Sequence, residues 1–176
     1  YNNTYGAQNT ALGLNSLYTN TTGSWNTAIG AAALLNNTTG YNNSSVGFNS
    51  LYTNTYGFNN TAIGYQTLYN NTTGNYNTAI GGLDSSSDGT LSSNTTGVQN
   101  TAVGNAALGK NIGGSYNTAV GVDALLNNTN GTHNSAFGQI ALYNNTTGTY
   151  NVGIGAGAVY TNTIGTWPVG VGTNAL

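Results

Sequence analysis

The side chains able to carry acid–base or metal chemistry in this sequence are few: Asp84, Asp88, Asp123, His133 and Lys110, with no cysteine. Acid–base catalysis needs paired titrating groups within hydrogen-bond reach of one substrate. Here the single histidine and Asp123 fall in different repeat units, away from Asp84 and Asp88. His133 occupies a position filled elsewhere by Trp, Tyr, Gln or Asn, so it reads as a surface residue. One local pattern points toward a cation: Asp84-Ser85-Ser86-Ser87-Asp88-Gly89 matches the opening of a calcium loop. Its twelfth position is Thr95 rather than the bidentate Glu such loops use. Asp84 and Asp88 are therefore weak metal candidates, and a polar turn is the simpler reading. Gly109-Lys110 is followed by Asn111, not by the Ser or Thr of a phosphate-binding loop. These residues predict no catalytic centre, no cofactor and no enzyme.

The elements that must position any functional group are set by an unusual composition. Charged residues make up 2% of the 176 residues, and the formal net charge is −2. With no basic field to gather phosphates, nucleic acid is not an expected partner. Solubility falls to amides and hydroxyls. No apolar run approaches the roughly 18–20 residues of a membrane helix, so no membrane insertion is expected in this segment. The chain opens at Tyr1 and closes at Leu176 in mid-pattern, and we expect it to be a segment of a longer chain or filament.

Two glycine series define that pattern. Gly6, Gly23, Gly40, Gly57, Gly74, Gly97, Gly114, Gly131, Gly148 and Gly165 are separated by 17 residues at every step but one, which is 23. A second glycine follows each seven residues later, from Gly13 to Gly172. The six extra residues fall in an enlarged loop at 82–90. A unit this short has too few side chains to bury alone against its ordering entropy, so units must stack. The row Leu12, Ile29, Val46, Ile63, Ile80, Val103, Val120, Phe137, Ile154 and Val171 is rich in β-branched residues and bounded by glycine, predicting a short strand. A second row runs Leu17, Leu34, Leu51, Leu68, Leu91, Leu108, Leu125, Leu142, Val159 and Leu176. The predicted fold is all-β: one parallel β-solenoid over residues 1–176, with ten 17-residue coils and one six-residue insertion. Adjacent strand residues such as Ala28 and Ile29 point to opposite sides, so both strand faces are partly apolar. One fills the coil and the other needs a partner, which predicts self-association into a homo-oligomer or filament.

Asn3, Asn20, Asn37, Asn54, Asn71, Asn94, Asn111, Asn128, Asn145 and Asn162 stand three residues before the first glycine in all ten units. Stacked in register, each amide is expected to donate to the next coil and accept from the one before, forming a structural ladder. A second ladder is predicted for Asn9, Asn26, Asn43, Asn60, Asn77, Asn100, Asn117, Asn134 and Asn151, ended by Pro168. Asn20, Asn37, Asn71, Asn94 and Asn145 also begin Asn-Thr-Thr sequons, but Asn persists at this position where the sequon is broken. The neighbouring Asn2, Asn36, Asn70, Asn127 and Asn144 are the better glycan candidates. Thr4, Thr21, Thr38, Thr55, Thr72, Thr95, Thr129, Thr146 and Thr163 form a row interrupted by Ile112, which raises ice binding as an alternative to plain ladder formation. Aromatic residues recur at Trp25, Tyr76, Tyr116, Tyr150 and Trp167, and again after the Leu row, where packing is the expected role.

The motif Asn-Thr-Ala-Ile-Gly at residues 26–30, 60–64 and 77–81 resembles the head repeats of trimeric autotransporter adhesins. The longer string at 60–74 is similar to repeats of tail-fibre-like surface proteins of bacteria and viruses. The resemblance implies parallel β-rolls that assemble as trimers and, in the adhesins, bind host matrix. The expected function is a structural component of an extracellular fibre or adhesive stalk at a cell or virion surface, a rigid rod with a polar surface that carries or meets glycans. Ice binding through the threonine row is the alternative, and calcium-dependent adhesion the third.

Overall fold

The computed structural model describes residues 2–83 and 88–176. Asp84, with the three serines after it, lies outside the described residues, so the calcium pattern is seen only from Asp88 onward. Each coil contributes one three-residue strand, from β1 (Thr10–Leu12) and β2 (Thr27–Ile29) through β3 (Ser44–Val46), β4 (Thr61–Ile63), β5 (Thr78–Ile80), β6 (Thr101–Val103), β7 (Thr118–Val120), β8 (Ser135–Phe137) and β9 (Val152–Ile154) to β10 (Val169–Val171). All ten pair in parallel, in chain order, in one sheet. The register is one coil to the next, as in Thr61↔Thr78, Ala62↔Ala79 and Ile63↔Ile80. The predicted all-β parallel solenoid is what the chain forms.

The backbone turns through left-handed residues that a glycine does not always supply. In the second coil Trp25, Ala32 and Leu34 have φ of 57°, 56° and 51°. The left-handed region costs a non-glycine residue roughly 1–2 kcal/mol. For Leu34 the cost is offset by complete burial of its side chain, worth about 1.5–3 kcal/mol. The leucine row therefore forms one ridge of the core and turns the chain at the same point.

Across the interior lies the middle residue of each strand. Ala28, Ala62, Ala79, Ala102, Ala119 and Ala136 are fully buried in one cluster with Leu34, Leu68, Leu91, Leu108, Leu125 and Leu142. The coil is narrow, so the inward strand residue must be small. Ser45 takes the alanine position in β3 and is satisfied by the Ser50 carbonyl at 2.9 Å and by the Ser50 hydroxyl. In β9 and β10 the position is glycine, and a Cβ on Gly170 would lie 2.6 Å from Val159. The larger β-branched row takes the other face. Ile29, Ile63, Ile80, Phe137 and Ile154 are all exposed, so of the two apolar rows only the leucines belong to the core.

The insertion leaves this arrangement intact. Leu83 and Gly89 form an isolated antiparallel bridge at the loop's base. Thr90 returns to the buried position, accepting from Gly82 N at 3.0 Å and donating to Gly104 O at 2.8 Å. Leu91 N then donates to Ala107 O at 2.9 Å, resuming the ladder. Among the described residues, no helix is long and apolar enough to cross a membrane.

Candidate functional site

The most organised polar groups are the two asparagine ladders. In the first, Asn54 Nδ2 donates to Asn37 Oδ1 at 2.8 Å and to Gly57 O at 3.0 Å, while Asn54 Oδ1 accepts from Asn71 Nδ2 at 2.8 Å. The pattern runs without a gap from Asn20 donating to Asn3 up to Asn162 donating to Asn145, across the insertion between Asn71 and Asn94. Each amide donates to the preceding coil and accepts from the following one, the reverse of the expected direction. The sense is fixed by the Gly carbonyl three residues on, which holds Nδ2 in place. From Asn20 to Asn145 these side chains are fully buried.

The second ladder uses the backbone. Asn60 N donates to Asn43 Oδ1 at 3.0 Å, and Asn60 Nδ2 donates to Gly74 O at 2.8 Å. Gly74 O also accepts from Asn71 Nδ2 at 3.0 Å. One glycine carbonyl thus ties the two ladders together, and the same junction recurs at Gly40, Gly57, Gly97, Gly114, Gly131 and Gly148. Glycine is required here by close approach: a Cβ on Gly74 would come within 2.8 Å of Asn94 Nδ2 and nearer still to Asn71 Oδ1 and Gly97 O. Buried amides cost several kcal/mol if unpaired, and apart from Asn151 at the end of the second ladder the buried ones are paired on both polar atoms, so the ladders fix the coil-to-coil register.

The threonine row is committed in the same way. Thr21, Thr38, Thr55, Thr72 and Thr129 donate from Oγ1 to the carbonyl of the matching residue one coil on, at 3.0–3.2 Å. Ile112 keeps the acceptor half, taking Thr95 Oγ1 at 3.2 Å. Among the glycan candidates Asn2 and Asn70 are exposed, and Asn36, Asn127 and Asn144 are partly exposed. Asn127 Oδ1 accepts from Lys110 Nζ at 3.0 Å. The sequons that begin at ladder positions place their Asn in the interior.

Aromatic side chains stack along the axis. Tyr116, His133, Tyr150 and Trp167 form a continuous pile with centroid separations of 4.8, 4.7 and 4.4 Å. Shorter stacks join Tyr41 to Phe58, Tyr52 to Tyr69 and Tyr143 to Tyr160. His133 is exposed, as expected of a surface residue, and is also one ring of a stack; its 17-residue spacing from Tyr116 and Tyr150 was the available signal for the stack. Asp88 lies 3.9 Å from Lys110. Among the described residues, no three His, Cys, Asp or Glu side chains are grouped to hold a metal.

The fold and its ladders define the chain as a parallel β-solenoid repeat protein. No protein-family model, no curated protein and no solved structure matches it.

Proposed function

We propose that this chain is a rigid rod, a structural component of an extracellular fibre or adhesive stalk displayed at a cell or virion surface. The reading is carried by the two asparagine ladders, which run through the interior and meet at one glycine carbonyl per coil. Such a network ties every coil to its neighbours through side chains as well as backbone, so stretching or bending the rod must break several buried hydrogen bonds per coil. Ten coils at the spacing of paired strands give a rod of about 48 Å. Hydroxyls and amides on the outside keep it soluble with almost no charge, and exposed sequons such as Asn70 suit glycans. Several copies of the chain associate laterally. The hydroxyls of the Thr21–Thr146 row already donate to neighbouring carbonyls, which favours a ladder role over water ordering on that row.

Cryo-electron microscopy of native material tests the reading. Filaments or surface stalks whose density fits stacked 17-residue coils are the expected result. Isolated compact particles would overturn it.

A further inference from the structure

Each strand places its smallest side chain inward and its largest outward. In all ten coils the outward third residue is Leu, Ile, Val or Phe. At Ile29, Ile63, Ile80, Phe137 and Ile154 it is 36%, 41%, 38%, 41% and 43% exposed. The outward position after each ladder threonine does not behave this way; it alternates among Tyr, Thr, Gly, Asn and Ile. A water-facing strand has no need of a large apolar residue at every step, and continuous apolar surface of this kind marks an interaction site. The first residue of each strand shares the face and is Thr, Ser or Val. Among the described residues, the hydroxyls of Thr27, Thr61, Thr78, Thr101 and Thr118 have no partner. No charged residue occurs in either row.

We propose that this Thr-x-Ile face is where copies of this chain pack together, side by side and coil against coil. The inference rests on the rod reading and adds the surface through which rods associate. A second copy fits for three reasons. The face is uncharged, so identical copies do not repel across it. Its rows repeat at one coil spacing, so an aligned copy meets the same apolar and hydroxyl rows along its whole length, as an isologous or rotational contact requires. Its size is also sufficient: ten strands of three residues span about 48 Å by about 10 Å. Two copies then cover on the order of 1,000 Å², the lower limit for a specific interface. Each further coil in a longer chain enlarges it. At the far end β9 and β10 replace the hydroxyl row with Val152 and Val169, making the face wholly apolar there.

Sedimentation velocity of the 176-residue chain, paired with small-angle scattering, tests the assignment. The wild type is expected to sediment as a multi-chain particle. Ile63→Lys, Ile80→Lys and Phe137→Lys together should release single chains with an unchanged far-ultraviolet circular dichroism spectrum. Ile63→Thr, Ile80→Thr and Phe137→Thr together, which keep strand-forming residues, should weaken association by about tenfold or more. Thr73→Lys with Thr96→Lys, exposed on another row, should leave association intact. A wild type that stays a single chain up to high micromolar concentration overturns the interface, as does equal loss in the Thr73/Thr96 variant. If that single chain scatters as a rod, the rod reading survives the loss of the interface; a compact scattering profile removes both. A single-chain rod that arrests ice-crystal growth would assign the face to ice instead.

Discussion

Asn151 buries a side-chain oxygen that no donor reaches, because the residue one coil later is Pro168. In every preceding coil of the second ladder from Asn26 on, that oxygen accepts the backbone N–H of the next asparagine, as Asn134 Oδ1 does from Asn151 N at 3.0 Å. Proline has no N–H to give. It retains the carbonyl half, accepting from Val152 N at 2.9 Å. The Asn151 amide turns instead to Asn145 Oδ1 at 3.1 Å, so the ladder ends by folding back on the other one.

Restoring the donor is expected to stabilise the last coil. Pro168→Asn supplies both the missing N–H and a further amide, and removing an unsatisfied buried acceptor is worth about 1–3 kcal/mol. A higher midpoint in thermal or denaturant unfolding is the expected outcome. An unchanged midpoint with a fully folded variant would show that Asn151 Oδ1 is satisfied by other means.

In the middle of the first ladder, Asn71→Asp reverses the chemistry at one atom. Asn71 Nδ2 donates to Asn54 Oδ1 at 2.8 Å and Gly74 O at 3.0 Å, so a carboxylate there would face two acceptors in a fully buried position. Burial and the facing oxygens raise the folded-state pKa of the introduced carboxyl above its unfolded value. The folded state then holds the extra proton, and stability falls as pH rises from the unfolded pKa through the raised folded one. The variant is expected to be weakened by about 3 kcal/mol or more at neutral pH and to recover part of that in acid. Chemical denaturation of wild type and variant at pH 3 and pH 7 reads the difference. A penalty independent of pH would mean that the carboxyl does not titrate in the ladder.

The ladders were legible in the sequence because an in-register stack converts a spacing into a contact: Asn54 and Asn71, 17 residues apart, touch. The insertion was legible for the same reason, since Thr90 and Leu91 rejoin the rows that Thr67 and Leu68 occupy. The orientation of the strand was not. A three-residue strand shows no alternation long enough to assign its faces, and the larger Ile29 was as plausible inside as Ala28 until the width of the coil decided it. The direction of the amide chain was equally hidden, because it depends on where the Gly carbonyl points. His133 is the exposed residue the sequence suggested, but its stacking on Tyr116 and Tyr150 showed only once the rings were placed.

Glycan placement separates adjacent asparagines. Asn71 is fully buried with both polar atoms engaged, while Asn70 beside it is exposed. Folded protein from a glycosylating host is expected to carry sugar at Asn70, and none at Asn20, Asn37, Asn71, Asn94 or Asn145. Glycopeptide mass spectrometry of the folded fraction measures this directly. Sugar on Asn71 in folded material would be incompatible with the ladder.

Deleting residues 84–89 joins Leu83 directly to Thr90 and returns the irregular step from 23 residues to 17. Thr90 already occupies the buried position and Leu91 already pairs with the next coil, so the deletion asks nothing new of the core. Leu83 would then take the left-handed position held by Ala106 one coil on, which has φ of 56°. That costs roughly 1–2 kcal/mol, offset in part by the shorter loop to be closed. The deletion variant is expected to unfold within about 1 kcal/mol of the wild type. Because it also removes Asp84 and Asp88, it addresses calcium at the same time. The expected outcome is that adding calcium or a chelator shifts the melting temperature of neither protein. A calcium-dependent rise in the wild type that disappears on deletion would instead assign the loop a structural cation and raise calcium-dependent adhesion from third place to first.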